Sequence, residues 1–180
     1  MRVIRMRKRR TLVLGVAAVA ALAAAGAAYA LTASSFTYSG PKTGYVRLSH
    51  LAFAPDGNGG TYANDWTTGL AATGGACLNA GVDLPVGSRV KAITFYYRSG
   101  PASDFYGDFR RMQLSTEVSL SLANVNPSNN AGTPASVTKN VAAVNQPVTA
   151  ARAYGVGVCT GNDGSFFGAR IKYTYTSAGS

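Results

Sequence analysis

The chain has 180 residues and carries 17 Lys/Arg against 7 Asp/Glu, but six of the basic residues stand among the first ten. The remainder carries a net charge of +4, densest at Arg110-Arg111 and making no stripe along the chain, which excludes the clustered basic footprint of a nucleic-acid surface. A single histidine and two cysteines leave too few ligands for a zinc array.

The first element is a hydrophobic segment. Six Arg/Lys and no acid precede an uncharged run from Thr11 to Ser39, dominated by Leu, Val and Ala up to Ala33. A positive flank, an apolar core and the small-x-small triplet Ala28-Tyr29-Ala30 have the form of a secretion signal cleaved before Leu31. The alternative is a retained hydrophobic helix, since residues 11–33 exceed the roughly 20 needed to span a hydrocarbon core. Either way the rest of the chain is expected outside the cytoplasm, secreted or membrane-anchored. The expected organisation is a signal or anchor over residues 1–30, a flexible linker over 31–43, one domain over 44–176 and a short tail over 177–180.

After the linker, strand signals dominate. GYVRLSHLAFAP sets Val46, Leu48 and His50 on one side of a strand. In LPVGSRVKAITFYYRSG, Pro85 and Gly87 make a turn, and the strand beyond it alternates Lys91, Ile93, Phe95 and Tyr97 against Val90, Ala92, Thr94 and Tyr96. Three consecutive rings cannot share one face of a strand, so Phe95-Tyr96-Tyr97 is mostly core, with Tyr96 its more exposed member. EVSLSLA predicts a half-buried strand with Val118, Leu120 and Leu122 inward; ARAYGVGVC does the same with Tyr154, Val156 and Val158. SFFGARIKYTYT places Phe167, Ala169, Ile171, Tyr173 and Tyr175 on one face. The sole helix candidate is a short one within Asn140–Gln146, and its β-branched residues weaken it.

Predicted strands lie near 44–54, 76–84, 89–98, 108–115, 117–123, 135–144, 150–159 and 166–176. Short strands with Gly/Pro-rich turns predict an all-β fold, an antiparallel β-sandwich of jelly-roll-like form. Trp66 precedes Cys77 instead of lying between the cysteines, which disfavours an immunoglobulin pattern. In an exported chain, Cys77 and Cys159 are expected to form one disulfide.

Tyr45-Val46 with AFAP at 52–55, Leu84-Pro85 with Gly87, Val90 and Ile93, and the closing Ile171 and Tyr173 resemble a group of secreted bacterial β-sandwich proteins without assigned chemistry. The resemblance covers residues 44–176 and implies the fold. It carries no activity with it.

Chemistry-bearing groups are few. No G-x-S-x-G elbow accompanies His50, which is expected to be a partly buried structural residue. Paired carboxylates are scarce, with Glu117 the sole glutamate on a strand's polar side. APDGNGG and CTGNDGS each offer half of an oxygen-rich loop, short of a full calcium register. No catalytic residue, metal ligand or cofactor is therefore expected. The candidate ligand-binding residues are Asp104, Phe105, Tyr106 and Asp108 in SGPASDFYGDF, with Tyr96 and Trp66 as further rings. The expected function is a non-catalytic structural or interaction module of the cell envelope or extracellular space. A carbohydrate-binding module using the Asp104–Asp108 loop is the first alternative, and a membrane-tethered surface domain the second. The corresponding partners are a cell-wall glycan or another envelope protein, with no nucleic acid.

Overall fold

The computed structural model describes residues 36–57, 60–73, 76–100, 105–127, 132–141, 147–161 and 164–178. The predicted signal segment, Asp104, and most of the Asn140–Gln146 helix candidate lie outside them. The chain divides into two compact units, and the β-sandwich is the one formed by residues 38–176.

Eleven strands are formed among the described residues: β1 (Phe36–Ser49), β2 (Ala54–Pro55), β3 (Thr61–Asp65), β4 (Gly69–Thr73), β5 (Cys77–Val82), β6 (Arg89–Arg98), β7 (Phe105–Gln113), β8 (Ser119–Val125), β9 (Ala135–Asn140), β10 (Arg152–Thr160) and β11 (Ser165–Ala178). They make two antiparallel sheets. One runs β3-β4-β11-β6-β9, with β1 also paired to β11; the other runs β2-β5-β10-β7-β8. The fold is the expected all-β, jelly-roll-like sandwich.

Alternation builds the layer between the sheets. Ile93, Phe95 and Tyr97 of β6 turn inward beside Ala169 and Ile171 of β11, opposite Phe105 and Phe109 of β7 and Val156 and Val158 of β10. The aromatic centre is a stack: Tyr97 lies on Phe105 at 4.5 Å between ring centroids, and Phe105 on Phe166 at 5.9 Å. Gly107 faces the same layer, where a Cβ would come within 2.8 Å of the Phe95 ring, so the glycine is the socket for that ring. Burying rings of this size supplies about 1.5–3 kcal/mol each.

Four expectations need correction. First, β1 begins at Phe36, so residues 36–43 are strand where a linker was expected. Tyr38 packs edge-on to Tyr175 at 5.6 Å, and a Cβ on Gly44 would collide with the Tyr173 ring. Second, the β3–β4 hairpin has no counterpart among the predicted strands. All five residues of β3 are exposed, so no buried face imposed alternation on its sequence. Third, Val118 and Leu120 are exposed; Leu122 packs partly buried against the core, and the buried residues of β8 are Ala123 and Val125. A bulge between Phe109 and Arg110 shifts the β7–β8 register, and Glu117, with φ of 56°, sits in the turn before the strand begins. Fourth, His50 lies in a 3-10 turn over His50–Ala52, not in a strand. It is a buried structural residue, with Nδ1 3.2 Å from the Phe167 carbonyl oxygen and Nε2 3.1 Å from that of Asp65.

Candidate functional site

The outward face of the five-stranded sheet holds a groove of about 760 Å³. Its floor follows from the sequence of β10. In RAYGVGVCT the inward positions are Tyr154, Val156 and Val158, and the outward positions between them are Gly155, Gly157 and Cys159. Two outward glycines in the central strand lower the floor, and the longer side chains of β5 and β7 become its walls.

Register fixes which walls face each other. Gly157 pairs with Asn79 on one side and Asp108 on the other; Cys159 pairs with Cys77 and Tyr106; Gly155 pairs with Gly81 and Arg110. The Asn79 side chain leans over the floor, since a Cβ on Gly157 would meet its Oδ1 at 2.9 Å. Cys77 and Cys159 form the expected disulfide, with Cα atoms 4.3 Å apart, and it adds an apolar patch beside Tyr106.

Asp108 is the polar centre of this face. It stands on the outward side of β7 yet is only 2% exposed. Its carboxylate accepts a hydrogen bond from the Ser121 hydroxyl at 2.6 Å and another from Arg110 Nε, which also closes an ion pair. The hydrogen bond and charge of Asp108 raise the guanidinium of Arg110 above its ordinary value, and the Tyr106 hydroxyl adds to this. Arg110 is thereby held by one edge while its side chain stays 57% exposed. A guanidinium fixed through Nε presents its other nitrogens in a set orientation. The groove thus combines a ring, an oriented guanidinium, a carboxylate, an amide and an apolar patch. Such a surface offers directed hydrogen-bonding groups beside a ring face.

The predicted site residues separate. Tyr106, 37% exposed, and Asp108 come together in the groove. Phe105 does not join them: it is a core ring, because alternation along β7 turns it inward where Tyr106 turns outward. Tyr96 is half-buried on the outward side of the other sheet. Trp66, 82% exposed, is in the β3–β4 turn. Asp104 lies outside the described residues. Sequence reasoning missed Asn79, Arg110, Met112 and Ser121. The i, i+2 series Tyr106, Asp108, Arg110 and Met112 was a usable signal, as was the alternation of glycine with valine in β10. Among the described residues no group of three or more His, Cys, Asp or Glu is placed to hold a metal ion.

No family model matches the chain, and no curated protein does. Solved structures do. The xylan-binding module CBM15 superposes with a TM-score of 0.51 at 11% identity, over 73% of this chain and 97% of that one. The C-terminal CBM6 of the laminarinase LamC from Zobellia galactanivorans gives 0.48 at 14% identity, over 71% and 98%. The module CBM6cm-2 of Cellvibrio mixtus lichenase 5A gives 0.42 at 13%, over 70% and 95%. At these identities the likeness is one of fold.

Proposed function

We propose that this chain is a non-catalytic glycan-binding module, exported from the cell, that holds a saccharide in the groove of the five-stranded sheet. The observation that carries the reading is the convergence of Tyr106, Asp108, Arg110 and Asn79 over the glycine floor of β10. Saccharide sites set a ring face beside oriented donors and acceptors, because sugar C–H faces pack on rings while hydroxyls need paired partners. Here Tyr106, Met112 and the disulfide supply the apolar side, and the Asp108–Arg110 pair with Asn79 the polar side. The shared sandwich fold with a module named for xylan binding supports the same reading. Asp108 is almost fully buried with its oxygens engaged by Arg110 and Ser121, an arrangement suited to orienting Arg110 at the groove and not to shuttling protons. Cell-envelope glycan is the natural setting if the basic, Ala-rich N-terminal segment acts as an export signal.

The test is a glycan array followed by calorimetry with the purified protein. A neutral oligosaccharide is expected to bind, and Tyr106→Ala is expected to weaken it at least about tenfold, about 1.4 kcal/mol. No signal from any glycan, or binding indifferent to both Tyr106→Ala and Arg110→Ala, would overturn the assignment.

A further inference from the structure

The opposite sheet carries a different chemistry. Eight of the 11 Lys/Arg beyond residue 10 lie on β1, β6, β9 and β11, and none of the seven Asp/Glu does. The topology brings these charges to one sheet, whose strands are neighbours, although Lys139 pairs with the buried Ile93 and so stands on the other side from Arg47, Arg170 and Lys172. The acid that this sheet does contain, Asp65, is on the edge strand β3, where Thr67 and Thr68 donate to its carboxylate.

Register shows what the outward side presents. Ile93, Phe95, Ala169 and Ile171 are buried, so their neighbours face out. Arg170 pairs with Thr94, and Thr94 with Thr138; Lys172 pairs with Ala92, and Ala92 with Asn140; Gly168 pairs with Tyr96, and Tyr96 with Ser136. Two of these rows end in a cation, Arg170 and Lys172, and the exposed polar groups beside them are Ser136, Thr138 and Asn140, while Thr94 is buried. The Thr94 and Thr138 hydroxyls are 2.8 Å apart. Arg170 lies over the Tyr45 ring at 5.4 Å, which orients its guanidinium. Arg47 and Arg170 line a groove of about 740 Å³ whose floor includes Gly168 and Tyr96. Arg170 and Lys172 stand two positions apart on one strand, about 7 Å, which is inside a Debye length at physiological salt. Their fields therefore add.

We propose that this face is a second binding site, independent of the first groove, for a linear polysaccharide carrying carboxylate groups on its sugars. The cations match the carboxylates, the arginine fork being suited to them, and the exposed Ser136, Thr138 and Asn140 side chains of β9 match sugar hydroxyls. Nucleic acid fits less well. Tyr45 is exposed but has Arg170 on one face of its ring, and Tyr96 is half-buried, so the face lacks the series of open rings on which successive bases stack. An anionic bilayer also fits less well, because Trp66, the most projecting ring among the described residues, belongs to the β3–β4 turn and not to these rows.

The experiment measures binding of the full protein to polygalacturonate, to its methyl ester, to single-stranded DNA and to vesicles rich in phosphatidylglycerol, at low and physiological salt. The free polyuronate is expected to bind and the ester not. The triple change Arg47→Gln, Arg170→Gln and Lys172→Gln is expected to weaken binding at least tenfold, with unchanged thermal unfolding. Lys172→Gln alone, at an exposed position, is expected to weaken it two- to threefold and keeps the test valid should the triple variant misfold. Arg152→Gln, an equal charge change on the other sheet, and Tyr106→Ala are expected to leave it within twofold. Equal affinity for acid and ester, insensitivity to these changes, or retention of DNA or vesicles in preference to polyuronate would each overturn the proposal.

Discussion

The Ser121 hydroxyl donates to the Asp108 carboxylate at 2.6 Å, joining β8 to β7 on the side of the sheet that faces water. With Arg110 on its other oxygen, Asp108 is sheltered by its partners and not by the core. Replacing it with alanine leaves Ser121 and Arg110 without this acceptor, which corresponds to about 1.5–3 kcal/mol for hydrogen bonds to a charged group. The lower end is expected, because Arg110 is 57% exposed and its freed guanidinium is rehydrated. Urea unfolding of Asp108→Ala should show a shifted midpoint with an unchanged slope. Asp108→Asn, which keeps an acceptor, should fall between the parent and the alanine variant.

Gly168 makes a sharper prediction. Its φ of 148° lies where L side chains are rarely found, and an added Cβ would meet the Leu48 carbonyl oxygen at 2.5 Å. The neighbour is backbone and cannot rotate away. Gly168→Ala should therefore destabilise the domain by about 3 kcal/mol, combining backbone strain with overpacking. Gly81→Ala, where nothing lies within 4 Å, is the matched control and should change stability by less than about 1 kcal/mol. Equal losses at the two positions would refute the assignment.

The parts of this fold that were legible in the sequence are those where one face is buried. β6, β10 and the Ala169–Ile171 part of β11 announce themselves by alternation because the core imposes it, whereas a bulge between Phe166 and Gly168 puts Phe166 in the core where Phe167 was expected. β3 is exposed throughout, and the inward pattern expected in β8 is displaced by a bulge that leaves no mark on composition. The site divides along the same line. Tyr106 and Asp108 were visible as an aromatic and an acid in one short segment. Their partners Asn79 and Ser121 come from strands whose adjacency only topology decides. The basic face was hidden for the same reason: Arg47 and Arg170 are far apart in sequence and share one groove.

The disulfide joins strands that already pair, Cys159 with Cys77, across a sequence separation of 82. Its main effect is expected on the unfolded chain, where closing a loop of that length corresponds to about 4–5 kcal/mol on the chain-entropy estimate. The Cys77→Ala, Cys159→Ala double variant should lose an amount of this order in equilibrium unfolding while keeping its far-ultraviolet circular dichroism. It should also bind glycan more weakly, because the bridge forms part of the floor beside Tyr106. Stability within about 1 kcal/mol of the parent would show that the β5–β10 pairing persists in the unfolded ensemble.

Asp65 gives a prediction in pH. Its carboxylate accepts from the Thr67 hydroxyl and from the Thr67 and Thr68 backbone amides, at 2.6 and 3.0 Å for the amides. These bonds favour the charged form and lower its pKa from 3.8 to about 2. The folded value is the lower one, so the turn's stabilisation is complete above pH 3.8 and is lost as the pH falls through about 2. Between those values the β3–β4 turn should loosen while the sandwich holds. Trp66, adjacent in the chain and 82% exposed, is the natural reporter. Its fluorescence anisotropy should fall, and the Thr67 and Thr68 amides should exchange faster, across that window. Asp65→Asn keeps an acceptor oxygen but does not titrate, so its profile should be flat from pH 5 to 2. An unchanged acid transition in that variant would assign the loosening to another group.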